Sequence, residues 1–342
     1  MYNITPQNSK INTPNSGGYM GTDNTTDSTL YGSYHHNYNT QQQITRYYRA
    51  LGFKPGDSGV IRATWFGEDG EQRTKLFWVE IGEQRAALFR AKYAPHPDLK
   101  RQTPLSWDYL QRLGERGWQI FSYPNHVRGG ITNGHAQAGG ALFYEFDDLS
   151  LEEQQAVVKR LTEQGFPPSL VVFSGSKSLH CYYSLTQLVS LEEWQEANSK
   201  LAAFLGSDPA ICTKARAMRL PAMPRVKNGQ TRYTDIIRES DHRYSLSDFE
   251  RLWDGAFPHG LSPRRFTEYK RLRRTQGQEA ALAAMAKPDS ELFPPPQKRE
   301  YRPIDLSNLP KETAPLEHFL PDTQKDALRG IPDGGGRDDG GL

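Results

Sequence analysis

The chain has two cysteines, Cys181 and Cys212, in 342 residues. They lack metal-ligand spacing, which argues against a cysteine zinc site, and two thiols make no disulfide scaffold. A reducing cytoplasm is the compartment expected on that ground. No apolar stretch approaches the roughly 20 residues of a membrane helix, and the amino terminus lacks a basic-then-apolar signal. Charge of either sign is also not in excess: the net value is +2. No global field therefore forces a polyanion partner, and any nucleic-acid binding must come from local patches. A Walker-type Gly-Lys-Ser/Thr loop is missing as well. What remains is a chain long enough for one large or two modest domains.

Residues 1–42 are rich in Asn, Thr, Ser, Gly, Gln and Tyr without apolar periodicity, and read as a disordered tail. An N-terminal α/β part is expected over 43–139. In it, Val60 to Trp65 and Leu76 to Ile81 are apolar runs joined by Gly67-Glu68-Asp69-Gly70, a hairpin signal. Helical patterns are expected near 83–92 and 104–115, a strand at Trp118 to Tyr123, and a glycine-rich loop from Arg128 through Gly140. The tryptophans Trp65, Trp78 and Trp118 read as core.

Over 140–255 the punctuation is clearer. Ser150 and Ser190 each open a Ser-Leu-Glu-Glu capping box, with helices stopping near Gly165 and at Gly206. Short apolar strands are expected at Ser169 to Phe173, Ser178 to Leu185 and Arg232 to Arg238. Strand, helix, strand, strand, helix, strand is the split βαβ order of ferredoxin-like and RNA-recognition-type folds. The fold class expected is α/β (α+β): an RRM-like catalytic palm, an N-terminal α/β subdomain and a C-terminal helical segment. That segment, 256–287, carries Arg264, Arg265, Lys270, Arg271, Arg273 and Arg274. Residues 288–342 read as a Pro-rich linker and the start of a helical region cut off at its glycine-rich end.

Three constellations carry chemistry. In the run Leu142-Phe143-Tyr144-Glu145-Phe146-Asp147, strand alternation puts Glu145 and Asp147 on one side. Two carboxylates on a strand can simply be an exposed surface. Here they end an apolar run, where unpaired negative charge is costly and a bound cation is the simplest compensation. In Ser176-Lys177-Ser178-Leu179-His180, Ser178 and His180 share a side. Hydroxyl, imidazole and ammonium groups can donate to phosphate oxygens, although a lone His is as often structural. The third is Asp208, followed by Arg216 and Arg219; its bland reading is a loop with ordinary ion pairs. Acidic groups with cations beside them are what phosphoryl transfer on a divalent metal uses.

At this point a resemblance becomes specific. Acidic-x-acidic after an apolar strand, then Ser-x-His, then an acidic residue with Arg-x-x-Arg-Leu eight residues on, resembles the archaeo-eukaryotic primase superfamily, most closely its primase-polymerases. All three stand in that family's order, over about 120–255. The resemblance implies that Glu145, Asp147 and Asp208 hold two Mg²⁺ or Mn²⁺ ions and that His180 and Ser178 contact the incoming nucleotide. Arg216 and Arg219 would meet nucleotide or template, with Lys177 and Lys227 as helpers. The first acidic position is Glu rather than the commoner Asp.

The implied activity is a DNA primase or primase-polymerase, with NTP or dNTP substrates, a single-stranded DNA template, and a helicase domain or partner after this segment. Arg264, Arg265, Lys270, Arg271 and Arg274 would grip template phosphates, or else form a solvated helix side. Two alternatives stay open: a gap-filling repair polymerase of the same superfamily, and a non-catalytic replication-initiator or single-strand-binding module. A rolling-circle nuclease is disfavoured, because His35-His36 lies in the tail and no His-x-His strand accompanies a Tyr.

Overall fold

In the computed structural model, residues 39–91, 104–128, 130–253 and 255–294 are described. The chain divides into two units, Met1–Leu292 and Phe293–Leu342. The first is an α+β fold built on two five-stranded sheets and a small two-stranded one. Most of the expected tail, 1–38, and the linker and terminal segment from 295 lie outside the described residues.

The polar run before position 43 does not all belong to a tail. Helix α1 (Thr40–Ala50) starts there, with Asn39 and Gln42 forming a reciprocal capping box. Composition hid it, but Ile44, Tyr47, Tyr48 and Leu51 repeat at helical spacing and all are fully buried. Strands β1 (Ser58–Phe66) and β2 (Gln72–Ile81) form the expected hairpin, longer than predicted. The helix expected at 83–92 is instead strand β3 (Ala86–Ala91), antiparallel to β2. Ala86 and Leu88 are both fully buried, a two-residue period, and β2's free edge supplies main-chain partners. Helix α2 (Trp107–Glu115) begins at the cap Ser106, and β4 (Gln119–Ser122) pairs with β1. With the distant β9 (Met218–Arg219) added to β4, the first sheet runs β3-β2-β1-β4-β9. Trp78 is core as expected, while Trp65 and Trp118 are half-buried, under Arg73 at 5.3 Å and Lys75 at 4.7 Å.

The second sheet contains β5 (His126–Val127), β6 (Ala136–Tyr144), β7 (Leu170–Phe173), β8 (Leu179–Val189) and β12 (Asp235–Glu239). Helices α3 (Leu151–Glu163) and α4 (Leu191–Leu205) open at both predicted capping boxes. The order is β12-β7-β8-β6-β5, antiparallel where paired. The expected strand 232–238 is broken at buried Thr234. Before it, β11 (Gln230–Tyr233) pairs with β10 (Pro224–Lys227); after it, β12 joins β7. The predicted glycine loop is also partly strand, since β6 carries Gly139 and Gly140 and so crosses the expected 139/140 junction. Helix α1 joins the two sheets: the Tyr47 hydroxyl meets Ser122 Oγ at 2.7 Å, and its ring meets Tyr182 edge-on at 5.7 Å.

Among the described residues past 245 come α5 (Leu246–Glu250), α6 (Pro263–Gln276), α7 (Gln278–Met285) and α8 (Asp289–Leu292). Among the described residues, no helix is long and apolar enough to cross a membrane.

Gly139 and Gly140 let β6 lie close to its neighbours. A Cβ at Gly139 would sit 2.3 Å from Trp194 Cδ1, and one at Gly140 2.1 Å from the Leu51 carbonyl oxygen. Trp194 is fully buried and its indole N–H donates to the Ala141 carbonyl at 2.8 Å. Gly140→Ala should therefore cost about 1–3 kcal/mol in urea unfolding, the range for overpacked sites. A variant as stable as the parent would show that β6 is not pinned there.

Candidate active site

Glu145 and Asp147 lie just beyond the end of β6 rather than on it, because regular pairing with β8 stops at Tyr144. The step out of the sheet gives them different surroundings. Glu145 is 7% exposed, whereas Asp147 has an open carboxylate. A buried carboxylate needs its charge met, and two groups from other elements do so. His180 on β8 places Nε2 3.0 Å from Glu145 Oε2. Arg216 places Nη2 2.8 Å from Oε1 and 3.3 Å from Asp208 Oδ2.

Asp208 arrives through main-chain contact. Its N–H donates to the Glu145 carbonyl at 3.0 Å, and its other carboxylate oxygen caps the Ala210 N–H at 2.9 Å. Helix α6 secures this loop from behind: Arg273 donates to the carbonyls of Gly206, at 2.7 Å, and Ser207. The three motifs thus meet, but not as expected. Asp208 points to Arg216 and its cap, and does not line the cleft that Glu145 and Asp147 share. Among the described residues, no group of three or more His, Cys, Asp or Glu side chains is close enough to hold a metal ion. The donor chemistry does suit Mg²⁺ or Mn²⁺: hard carboxylate oxygens, two of them already sharing a cation in the form of the Arg216 guanidinium. The preformed three-carboxylate pair of ion sites is not present with Arg216 in that position.

The cleft has a volume of about 180 Å³. Besides the acids it is lined by Lys177, Ser178, Arg219 and Arg225, with Phe121 also in its wall. Lys177 and Ser178 sit in the turn between β7 and β8, where Gly175 takes a φ of +76°. Buried Gln154 of α3 fixes that turn, donating to the Lys177 carbonyl at 2.9 Å and accepting from Leu179 N–H at 2.8 Å. Lys177 Nζ reaches back to Asp147, donating to its carbonyl and standing 3.9 Å from Oδ1. Arg219 stacks on Phe121 at 4.3 Å and donates to Gln119 at 2.8 Å. Burial, and then the charge of Arg225, lower its pKa to about 10. Arg225 donates to the Ser174 carbonyl at 3.2 Å.

His180 is 3% exposed, and its Nε2 is spent on Glu145 while Nδ1 is buried without a partner. It sits in the cleft wall, holding Glu145, rather than open to a ligand. Lys227 lies outside the cleft lining, exposed on β10, with Nζ 3.5 Å from Ser176 Oγ. Residue reasoning missed Phe121, Gln154 and Arg225. Arg225 leaves a trace in the Pro224-Arg225-Val226-Lys227 alternation, where it shares a side with Lys227; Gln154 leaves none.

The expected grip of α6 on nucleic acid needs correction at one position. Arg265 is 2% exposed and donates to Asp289 and to the carbonyls of Met285 and Lys287, so it ties α6 to α7 and α8. It falls on the buried stripe with Tyr269 and Leu272. Arg271 pairs with Glu268, Lys270 lies 5.2 Å from the Phe266 ring, and Arg264 and Arg274 are exposed.

Burial pushes the Glu145 carboxyl up, but His180 and Arg216 together outweigh it and hold the pKa at about 2. A depressed carboxylate pKa contributes stability that is complete above the unfolded value near 4.5 and is lost as pH falls towards 2. The stability gap between the parent and Glu145→Gln, measured by urea unfolding, should therefore shrink across that window. A gap constant with pH would mean that Glu145 is not held ionised by these partners.

No protein-family model matches the chain, and no curated protein does. Among solved structures it is similar to the AEP domain of the cyanophage S-2L primase-polymerase, at 22% identity and a TM-score of 0.45. That alignment covers 61% of this chain and 96% of that one. It is also similar to the primase RepB′, at 15% identity and a TM-score of 0.42, over 70% of this chain and 69% of that one. The catalytic domain of RepB′ in complex with initiator DNA aligns at 16% identity and a TM-score of 0.41, covering 64% of this chain and 96% of that one.

Proposed function

We propose that the protein is a template-dependent nucleotidyl transferase of the primase or primase-polymerase type. The observation that carries this reading is one cleft lined by groups of both charges. Glu145 and Asp147 share it with Lys177, Arg219 and Arg225, and Ser178 lines it as well. The basic groups suit the triphosphate of an NTP or dNTP, because ammonium and guanidinium groups donate charge-assisted hydrogen bonds to phosphate oxygens. The acidic groups suit the end that reacts. A 3′-hydroxyl oxygen, from a primer or from a first nucleotide, forms the new bond to the α-phosphorus, and the bond to pyrophosphate breaks.

Glu145 and Asp147 are the cleft residues that would hold divalent ions, with Asp208 joining them where Arg216 releases its carboxylate; such ions, when bound, supply charge neutralisation at the phosphates. The chain's own contribution is positioning and fixed charge. Lys177 and Arg219 hold the triphosphate in register, and the pairing of Arg225 with the Ser174 carbonyl keeps the phosphate-side turn in place. His180 acts through Glu145, fixing the carboxylate's orientation.

Asp147→Ala is the direct test, since that side chain is 65% exposed and its loss leaves the fold alone. Nucleotide incorporation on a primed template should fall by about 100-fold or more, the scale for a lost electrostatic group in an active site, with an unchanged Tm. Wild-type incorporation by this variant would falsify the assignment. A second assay separates starting strands from extending them. On unprimed single-stranded template with nucleotides and Mn²⁺ or Mg²⁺, new primers should form. Product from primed template alone would leave the gap-filling polymerase as the correct reading.

A further inference from the structure

One side of the first sheet leads straight out of the cleft. Strand register puts Arg62 of β1 beside Phe121 of β4, and Phe121 beside Arg219 of β9; two positions along, Thr64 lies beside Gln119. Alternation carries the same side on to Phe66, with Thr74 and Gln72 of β2 opposite Thr64 and Phe66. Phe121 and Arg219 also line the cleft, so this side and the site share a border. The Phe121 ring takes two guanidinium groups, Arg219 at 4.3 Å and Arg62 at 5.2 Å. At the far end Phe66 is 54% exposed, a large apolar ring left open beside Gln72 of β2. Two polar atoms on this side, Arg62 Nε and Thr64 Oγ1, are shut off from solvent without a hydrogen-bond partner.

We propose that single-stranded nucleic acid lies across this side of the sheet, from Phe66 past Arg62 to Arg219, as it enters the cleft. Guanidinium groups meet phosphates, and Phe66 offers a ring on which a base stacks without regard to sequence. Paired bases have no free ring surface except at a duplex end, so a stacking platform selects the single strand. The run is long enough for several contacts: β9 to β1 is two strand spacings, about 10 Å, and Arg62 to Phe66 is about 13 Å along a strand. The alternative basic surface, α6, has its arginines partly committed, with Arg265 buried and Arg273 bonded to the loop before Asp208. The proposal rests on the nucleotidyl-transfer reading only for where the strand goes next.

The test is fluorescence anisotropy with a short labelled oligothymidylate, without metal or nucleotide, so that binding is read independently of turnover. Phe66→Ala should weaken binding about tenfold, within the range for one lost base stack. Arg62→Gln should weaken it and reduce the slope of log K against log salt by about one phosphate contact. The Tm of each variant reports its fold, and because Phe66 is exposed its variant stands even where Arg62→Gln unfolds. Parent-like binding by Phe66→Ala overturns the proposal, as does loss confined to a combined Arg264→Ala, Arg271→Ala, Arg274→Ala variant. Strand binding lost in Phe66→Ala, with no nucleotide incorporation by the parent protein, would sink the transferase reading and leave this surface standing.

Discussion

The charge on Glu145 organises the site. A carboxylate 7% exposed is stable as an ion only when its partners repay its lost hydration. It finds them on two elements remote in sequence, His180 at the second strand position of β8 and Arg216 in the loop before β9. Satisfying that one charge brings three stretches of chain together, and Asp208 comes along because Arg216 spans both carboxylates. Removing either partner would leave buried charge uncompensated, which costs about 3–5 kcal/mol in proteins generally. The neighbourhood of Glu145 is therefore a structural joint as well as a candidate reaction centre.

The joint explains why the cations divide into two kinds. Arg265 and Arg273 are consumed in holding α6 to its neighbours and to the loop that presents Asp208. Arg216 is consumed in the joint itself. Lys177 and Arg219 contact carbonyl, amide or aromatic groups and still line open space, so they have donors to offer a phosphate. A count of basic residues ranks α6 first. The cleft differs in setting its cations beside two carboxylates, Glu145 and Asp147.

Much of this was legible in the sequence. The two Ser-Leu-Glu-Glu boxes marked α3 and α4 at the correct residues, because a cap is a local hydrogen-bond arrangement and local chemistry is written in adjacent residues. The β1–β2 hairpin was legible for the same reason; the three acids expected to share ions, Glu145, Asp147 and Asp208, do not line one cleft, since Asp208 turns to Arg216. The partners of each charge were not legible. Whether Arg216 faces a ligand or a carboxylate depends on the path from the short 3₁₀ turn Pro209–Cys212 into β9, a long-range matter. The segment of β3 reads equally as helix because six residues carry both periods, and only the free edge of β2 decides between them. Arg265 could have been found: with Tyr269 and Leu272 it falls at i, i+4 and i+7 on the apolar stripe. Gln154 could not, since a buried glutamine holding a distant turn has no local signature.

The position of Arg216 also sets a condition on any cation in this cleft. A divalent ion held jointly by Glu145 and Asp208 competes for the oxygens that the guanidinium already occupies. It gains ground only if Arg216 gains a substitute partner at the same time, because a guanidinium left half-buried and unpaired is itself costly. Under the proposed function, a triphosphate entering beside Arg219 would be such a partner, since it would bring several negative charges next to the displaced side chain. Nucleotide and ion would then bind cooperatively, each lowering the cost of moving Arg216 for the other. Without nucleotide, the Arg216 guanidinium bridges the Glu145 and Asp208 carboxylates and offsets part of their charge.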